Sequence, residues 1–210
     1  MHTTLQLSHP EHLHLPNSTF SPYLGADQEW YPQLWQRKAG CGPTTASHLV
    51  LYNAKNHPSL GLQSANTKDE MVALMETLWT YITPGIMGVH LVSQFKRGLE
   101  RYISDRALPV SVASLALAKD KSRRADLDDV KAFLIASLAD DQPVAFLNLS
   151  SGEVDNLDPW HWVTIVGLQQ EYEEGRLLVE VYDGGRRWII DLTTWYHTTT
   201  RSAGFARLVL

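Results

Sequence analysis

The chain has 210 residues, 44% of them hydrophobic and 20% charged, with a single cysteine. Eighteen basic and 23 acidic residues give a net charge of -5, so no basic footprint for nucleic acid or an anionic membrane is present. No apolar run approaches the roughly 20 residues that span a bilayer, one cysteine cannot close an internal disulfide, and the length suits one domain, residues 1–210, better than two.

The opening stretch, MHTTLQLSHPEHLHLP, lacks the basic region and apolar core of a secretory signal, which leads us to expect a cytosolic protein. His2, His9, His12 and His14 invite a metal reading. Neither a cysteine partner nor a helical HExxH frame accompanies them, and metal ligands need a rigid shell. Solvated terminal histidines are expected instead, with no metal and no cofactor. Residues 1–35 read as an irregular segment, and over 15–40 Pro, Asn, Gly and aromatics follow no sustained period.

From Gly42 the pattern becomes helical: Ala46, Leu49, Val50 and Ala54 recur at helical spacing, Pro43 suits a first turn, and Asn56 to Pro58 stop the helix. Thr67 and Glu70 have capping-box spacing ahead of an apolar stripe of Met71, Leu74, Met75, Leu78 and Ile82, which Pro84-Gly85 ends. A third helix is expected from about His90 to Ser104, a short strand near Val110 to Leu117, and a fourth helix marked by Leu127, Val130, Leu134 and Leu138. The basic cluster Lys119, Lys121, Arg123 and Arg124 reads as a solvated loop. Strands are then expected at Val144–Leu149, Trp162–Leu168, Leu177–Tyr182, Trp188–Leu192 and Phe205–Leu210, with Glu173, Glu174 and Gly175 as a hairpin tip. Helices first and mostly antiparallel strands second is the α+β signature.

The chemistry starts at Cys41, between Gly40 and Gly42-Pro43, at the mouth of the first predicted helix. A thiolate there is stabilised by the free N–H groups and the positive end of the helix dipole. The same N–H groups can bond an oxyanion forming beside the sulfur, and Gly42 permits a close backbone approach. A small buried hydrophobe is the competing reading. His161 opens the strand Trp162–Leu168, where its ring can project from the sheet edge. After the hairpin, Leu177–Tyr182 runs back and delivers Asp183 beside it, because the start of one antiparallel strand lies next to the end of its partner. A histidine base needs such an acceptor to fix its tautomer. Asp191 is a rival acceptor without a matching histidine, and Asp158 reads as a turn cap.

These residues resemble the papain-like cysteine peptidases, nearest to the double-glycine peptidases that trim bacteriocin leader peptides and to their uncharacterised bacterial relatives. The resemblance rests on Cys41-Gly42-Pro43 at a helix start, on His161-Trp162-Val163-Thr164-Ile165-Val166-Gly167 on a strand, and on Tyr182-Asp183-Gly184-Gly185 after the hairpin. It implies a Cys–His–Asp triad that forms a thioester acyl-enzyme, with Cys41 as nucleophile, His161 as acid and base, and Asp183 as its orienter. It also implies a glutamine shortly before the cysteine as oxyanion donor. Trp35 stands at the usual spacing, so Gln36 is taken for that role, with Gln33 or backbone N–H groups as alternatives.

Trp160, Trp162 and Trp188 flank the expected His–Asp pair; Trp162 reads as core and Trp188 as a shield against water. The loop Tyr81–Val89 reads as a helix connector that borders a cleft at most. The expectation is therefore a thiol hydrolase acting on a peptide or small amide substrate. A binding module that keeps the fold without turnover is the alternative, as is acyl transfer on the same fold. Redox exchange is disfavoured because no second cysteine can resolve a disulfide.

Overall fold

Helix starts follow their caps. Thr67 accepts the Glu70 N–H while the Glu70 carboxylate takes the Thr67 N–H, and Asp126 and Asp129 form the same reciprocal pair, each satisfying donors that a helix mouth leaves orphaned. The computed structural model describes residues 2–17, 21–171 and 175–210. Its elements are β1 (His2–Gln6), β2 (His14–Leu15), β3 (Tyr23–Leu24), α1 (Leu34–Ala39), α2 (Cys41–Asn56), α3 (Lys68–Tyr81), α4 (Val92–Asp105), β4 (Ser111–Leu117), α5 (Leu127–Ala139), β5 (Val144–Asn148), β6 (His161–Glu171), β7 (Arg176–Asp183), β8 (Arg186–Asp191), α6 (Leu192–Thr198) and β9 (Ala203–Val209).

The main sheet runs β4-β9-β5-β6-β7-β8, with β1 added alongside β6. Every pairing among the described residues is antiparallel. β6 is long enough to serve two partners on one side: β5 covers its first half, from His161 to Ile165, and β1 its second, from Gly167 to Glu171. At the junction the ladder to β7 shifts register between Ile165 and Gly167, and the Leu7 N–H donates to the Val166 carbonyl.

α2 is buried on every side from Gly42 to Ala54, as expected of a helix held between other layers and not at a surface. It packs against α3 on one side and β6 on the other. Its polar groups are paired inside the protein: Asn53 and Gln142 exchange two amide hydrogen bonds, and the Ser47 hydroxyl donates to the Pro43 carbonyl. A single contiguous apolar core joins α2, α3 and α4 to the sheet.

Four expectations change. Residues 1–35 are not irregular throughout: β1 joins the main sheet and β2 pairs with β3. α1 is an added helix of six residues, and α6 follows β8 where no helix was expected. α4 starts at Val92 and not at His90, with Leu91 at its N-cap. Arg124 is buried, not solvated, and its guanidinium donates to the carbonyls of Ala118, Lys119 and Arg201, tying the loop before α5 to that before β9. Of the expected hairpin tip, Gly175 has the positive φ of a turn, while Glu173 and Glu174 lie outside the described residues. No helix among the described residues is long and apolar enough to cross a membrane.

Candidate active site

Cys41 is the first residue of α2, reached from α1 through the single residue Gly40. That junction has no room for a side chain: a Cβ on Gly40 would meet the Gln36 carbonyl oxygen and, at 2.5 Å, the Tyr31 ring. Gly42 is similarly confined, with Val89 Cβ 3.0 Å from where its own Cβ would lie. The two glycines thus let α1 and the Val89 side chain close in on the chain at Cys41, whose thiol stays partly accessible.

His161 and Asp183 meet as their strands require. The register Thr164↔Tyr182, continued by one step, sets Asp183 opposite Val163, whose side chain shares a sheet face with His161. His161 Nε2 lies 2.7 Å from Asp183 Oδ1. The acceptor is held at the strand end by a two-residue turn, Gly184-Gly185, both with positive φ, before β8 returns. Cys41 lines the same small cavity as His161 and Asp183. Burial lowers the affinity of His161 for a proton, but the hydrogen bonds and negative charge of Asp183 and Cys41 outweigh it and raise its pKa to about 10. A thiol, an imidazole and a carboxylate therefore border one cavity, with the imidazole favoured as a cation.

Gln36 is not among the residues lining either cavity at Cys41. It is buried on α1, where its Oε1 accepts the Gln33 N–H while the Gln33 side chain takes the Gln36 N–H. Both glutamines are engaged in starting a helix. The amide beside the thiol belongs to Gln28, in the 3₁₀ turn Gln28–Trp30. Gln28 lines a cavity of about 10 Å³ together with Cys41, His161 and Asp183, and its Oε1 is buried with no hydrogen-bond partner among the described residues. Nothing local in the sequence marks Gln28, because its connection to Cys41 is made in space.

That connection passes through His48. The ring is fully buried in α2, accepts the Ala26 N–H at Nε2 (2.7 Å) and contacts Thr164 Oγ1 through Nδ1 (2.7 Å). Burial pushes its pKa down to about 4, against the pull of the Asp183 charge. A neutral imidazole thus fixes Ala26 two residues ahead of Gln28. Gly25, at φ +82, makes this possible, because a Cβ there would sit 3.0 Å from the His48 ring. The N-terminal segment also supports Asp183 from below, since the Leu24 N–H donates to the Gly185 carbonyl.

On its open side Cys41 faces a second cavity of about 310 Å³, with Trp35, Lys38, Ile86, Met87 and Trp160 on its walls. Trp162 is core: it stacks on Phe95 at 4.3 Å and donates its indole N–H to the Val89 carbonyl. Trp188 lies over Asp183, its indole N–H 3.4 Å from the Asp183 carbonyl. Asp191 caps α6 through the Thr194 N–H, and Asp158 is held by its carbonyl, which accepts from the Asn148 amide.

His12 and His14 are docked and not loose. His12 Nδ1 lies 2.6 Å from Asn56 Oδ1, and His14 Nε2 lies 3.4 Å from the Tyr182 hydroxyl. His9 pairs with Glu11 at 3.0 Å and stacks on His12 with ring centroids 5.1 Å apart. His9, Glu11 and His12 each bring one potential ligand atom to within 4.8 Å of the others, on an exposed surface.

The sequence matches no family model, and no curated protein matches it. Among solved structures the fold is similar to that of UfSP from C. elegans, with a TM-score of 0.54 and 10% sequence identity over 97% of this chain. The chain spans about a third of that structure's length, 34%. A likeness at this identity is one of fold. The helical half packed on an antiparallel sheet is accordingly an α+β, papain-like architecture.

Proposed function

We propose that the chain is a cysteine-peptidase-type thiol hydrolase that cleaves a peptide or small amide bond. The observation that carries this reading is the His161 ring, hydrogen-bonded to Asp183 and sharing one small cavity with Cys41. The fold it shares with UfSP supports it, and the motifs around Cys41, His161 and Asp183 keep the double-glycine peptidases as the nearest branch.

In this reading the Cys41 thiolate attacks the carbonyl carbon, a C–S bond forms, and the carbonyl oxygen takes the negative charge. The Gln28 amide and N–H groups at the start of α2 stabilise that oxyanion. Collapse breaks the C–N bond as the His161 imidazolium gives its proton to the leaving amine. A water then loses a proton to His161 and attacks the thioester, which releases the acid and restores the thiolate. Asp183 keeps the ring oriented and compensates its charge throughout. No metal or cofactor takes part in these steps.

The test is the rate of Cys41 alkylation by iodoacetamide against pH, in the parent and in His161→Ala. The parent reacts at about pH 6 at least ~10-fold faster than the variant, because an imidazolium partner sustains the thiolate. Superimposable profiles in the two proteins would overturn the reading. A non-catalytic binding role is favoured by one observation, the engagement of Gln36 in a helix cap, and the same profiles decide against it or for it.

A further inference from the structure

Large apolar side chains open to solvent are scattered singly on most surfaces, but here several converge on one place. Trp35 is 48% exposed, Ile86 96%, Met87 55% and Trp160 38%, and all four line the cavity of about 310 Å³ that opens from Cys41. Lys38 is the only charged residue on its walls. It lies one helical turn from Trp35 on α1 and forms no ion pair with any described residue. In a protein of net charge -5, the groove beside the thiol thus presents apolar walls and an uncompensated cation.

Two backbone features are bent toward this groove. Trp160 has φ +58 although it is a bulky residue, a conformation that costs on the order of 1 kcal/mol and persists where the surroundings enforce it. It lies immediately before His161, and the Arg201 guanidinium holds its ring at 5.2 Å from the centroid. Opposite, the Gly88 N–H donates to the Gly85 carbonyl at 2.9 Å and closes a turn with Ile86 and Met87 at its tip. The base of that turn is fixed by the Trp162 indole on the Val89 carbonyl. Both walls are therefore carried by elements that also build the site, and both present apolar side chains to water.

We infer that this groove selects the substrate, taking a peptide that carries a bulky apolar side chain beside the scissile bond and a carboxylate within reach of Lys38. The inference rests on the reading of Cys41 as the reacting group and specifies what that group is offered. Apolar walls reward removal of a Leu-sized side chain from water. The lone ammonium rewards an acidic neighbour and repels a basic one.

The experiment measures equilibrium binding, which needs no turnover. Fluorescein-labelled hexapeptides that pair Leu or Ser with Glu or Lys are titrated into the Cys41→Ala variant and followed by anisotropy. The Leu/Glu peptide is expected to bind at least about 10-fold more tightly than the Ser/Glu peptide. Trp35→Ala and Ile86→Ser in the same background remove most of that difference, and Lys38→Glu reverses the preference between Glu and Lys. Equal binding of the Leu and Ser peptides, or a Glu preference that survives Lys38→Glu, overturns the inference. The iodoacetamide profiles of the parent protein report on the thiol alone, so a failure of the groove and a failure of the catalytic reading give different results.

Discussion

His48 Nδ1 and Thr164 Oγ1 lie 2.7 Å apart in the buried seam between α2 and β6. Because the Ala26 N–H donates to Nε2 of the same ring, the proton must sit on Nδ1 and point at the threonine. One neutral tautomer therefore joins three separate segments: the loop ahead of Gln28, the helix that begins at Cys41 and the strand that begins at His161.

Stability should register this ring. The unfolded chain binds the His48 proton below about pH 6.5, whereas the folded chain resists it down to about 4. The contribution is full above pH 6.5 and is lost as pH falls through that window, since the unfolded state then holds more protons. Thermal melts from about pH 7 to pH 4.5 are expected to show a decline in Tm for the parent that is shallower in His48→Gln. Parallel curves would remove His48 from this role.

The titration of His161 runs the other way. Its imidazolium persists to about pH 10 because Asp183 and Cys41 both favour the cation over the opposing effect of burial. Ring resonances followed by NMR should titrate near that value in the parent and at lower pH in both Cys41→Ser and Asp183→Asn. A midpoint that neither substitution moves would show that the ring is coupled to neither neighbour.

Hydrolysis of an activated ester such as a p-nitrophenyl ester reads the chemical step without knowledge of the natural substrate. His161→Ala is expected to lose about 10³-fold or more, and Asp183→Asn about 10²-fold, because removing the acceptor frees the ring orientation without removing the base.

Gln28 and Gln36 are separable by the kind of damage each causes. Gln28→Ala should lower kcat by about 10²-fold with little change in Tm, the loss of one oxyanion donor. Gln36→Ala should cost about 1 kcal/mol of stability through the lost helix cap and leave kcat nearly intact. A Gln28→Ala enzyme with parental kcat would sink this assignment.

Much of this site is legible in the linear chain, for reasons that particular residues make plain. α3 announces itself because Thr67, Glu70 and the stripe from Met71 to Leu78 are local signals at helical spacing. His161 and Asp183 could be paired in advance because they flank one hairpin, and hairpin geometry is short-range. β1 was missed because Thr3, Thr4 and Gln6 have no apolar alternation of their own, and the partner that orders them, β6, lies more than 160 residues away in sequence. α1 has only six residues, too few for a period to emerge. Gln28 was invisible for a related reason: it reaches Cys41 through a loop fixed by His48, a residue that looks like ordinary helix filling until Thr164 and Ala26 are brought to it.

The position of β9 has a consequence for biosynthesis. It lies between β4 and β5, so β4 joins the sheet only through β9, the last of these strands in chain order. β5 is also the strand whose Asn148 stands in register with His161. A nascent chain can therefore pair β5, β6 and β7 around His161 before β9 is made, whereas β4 has no place in the sheet until it is.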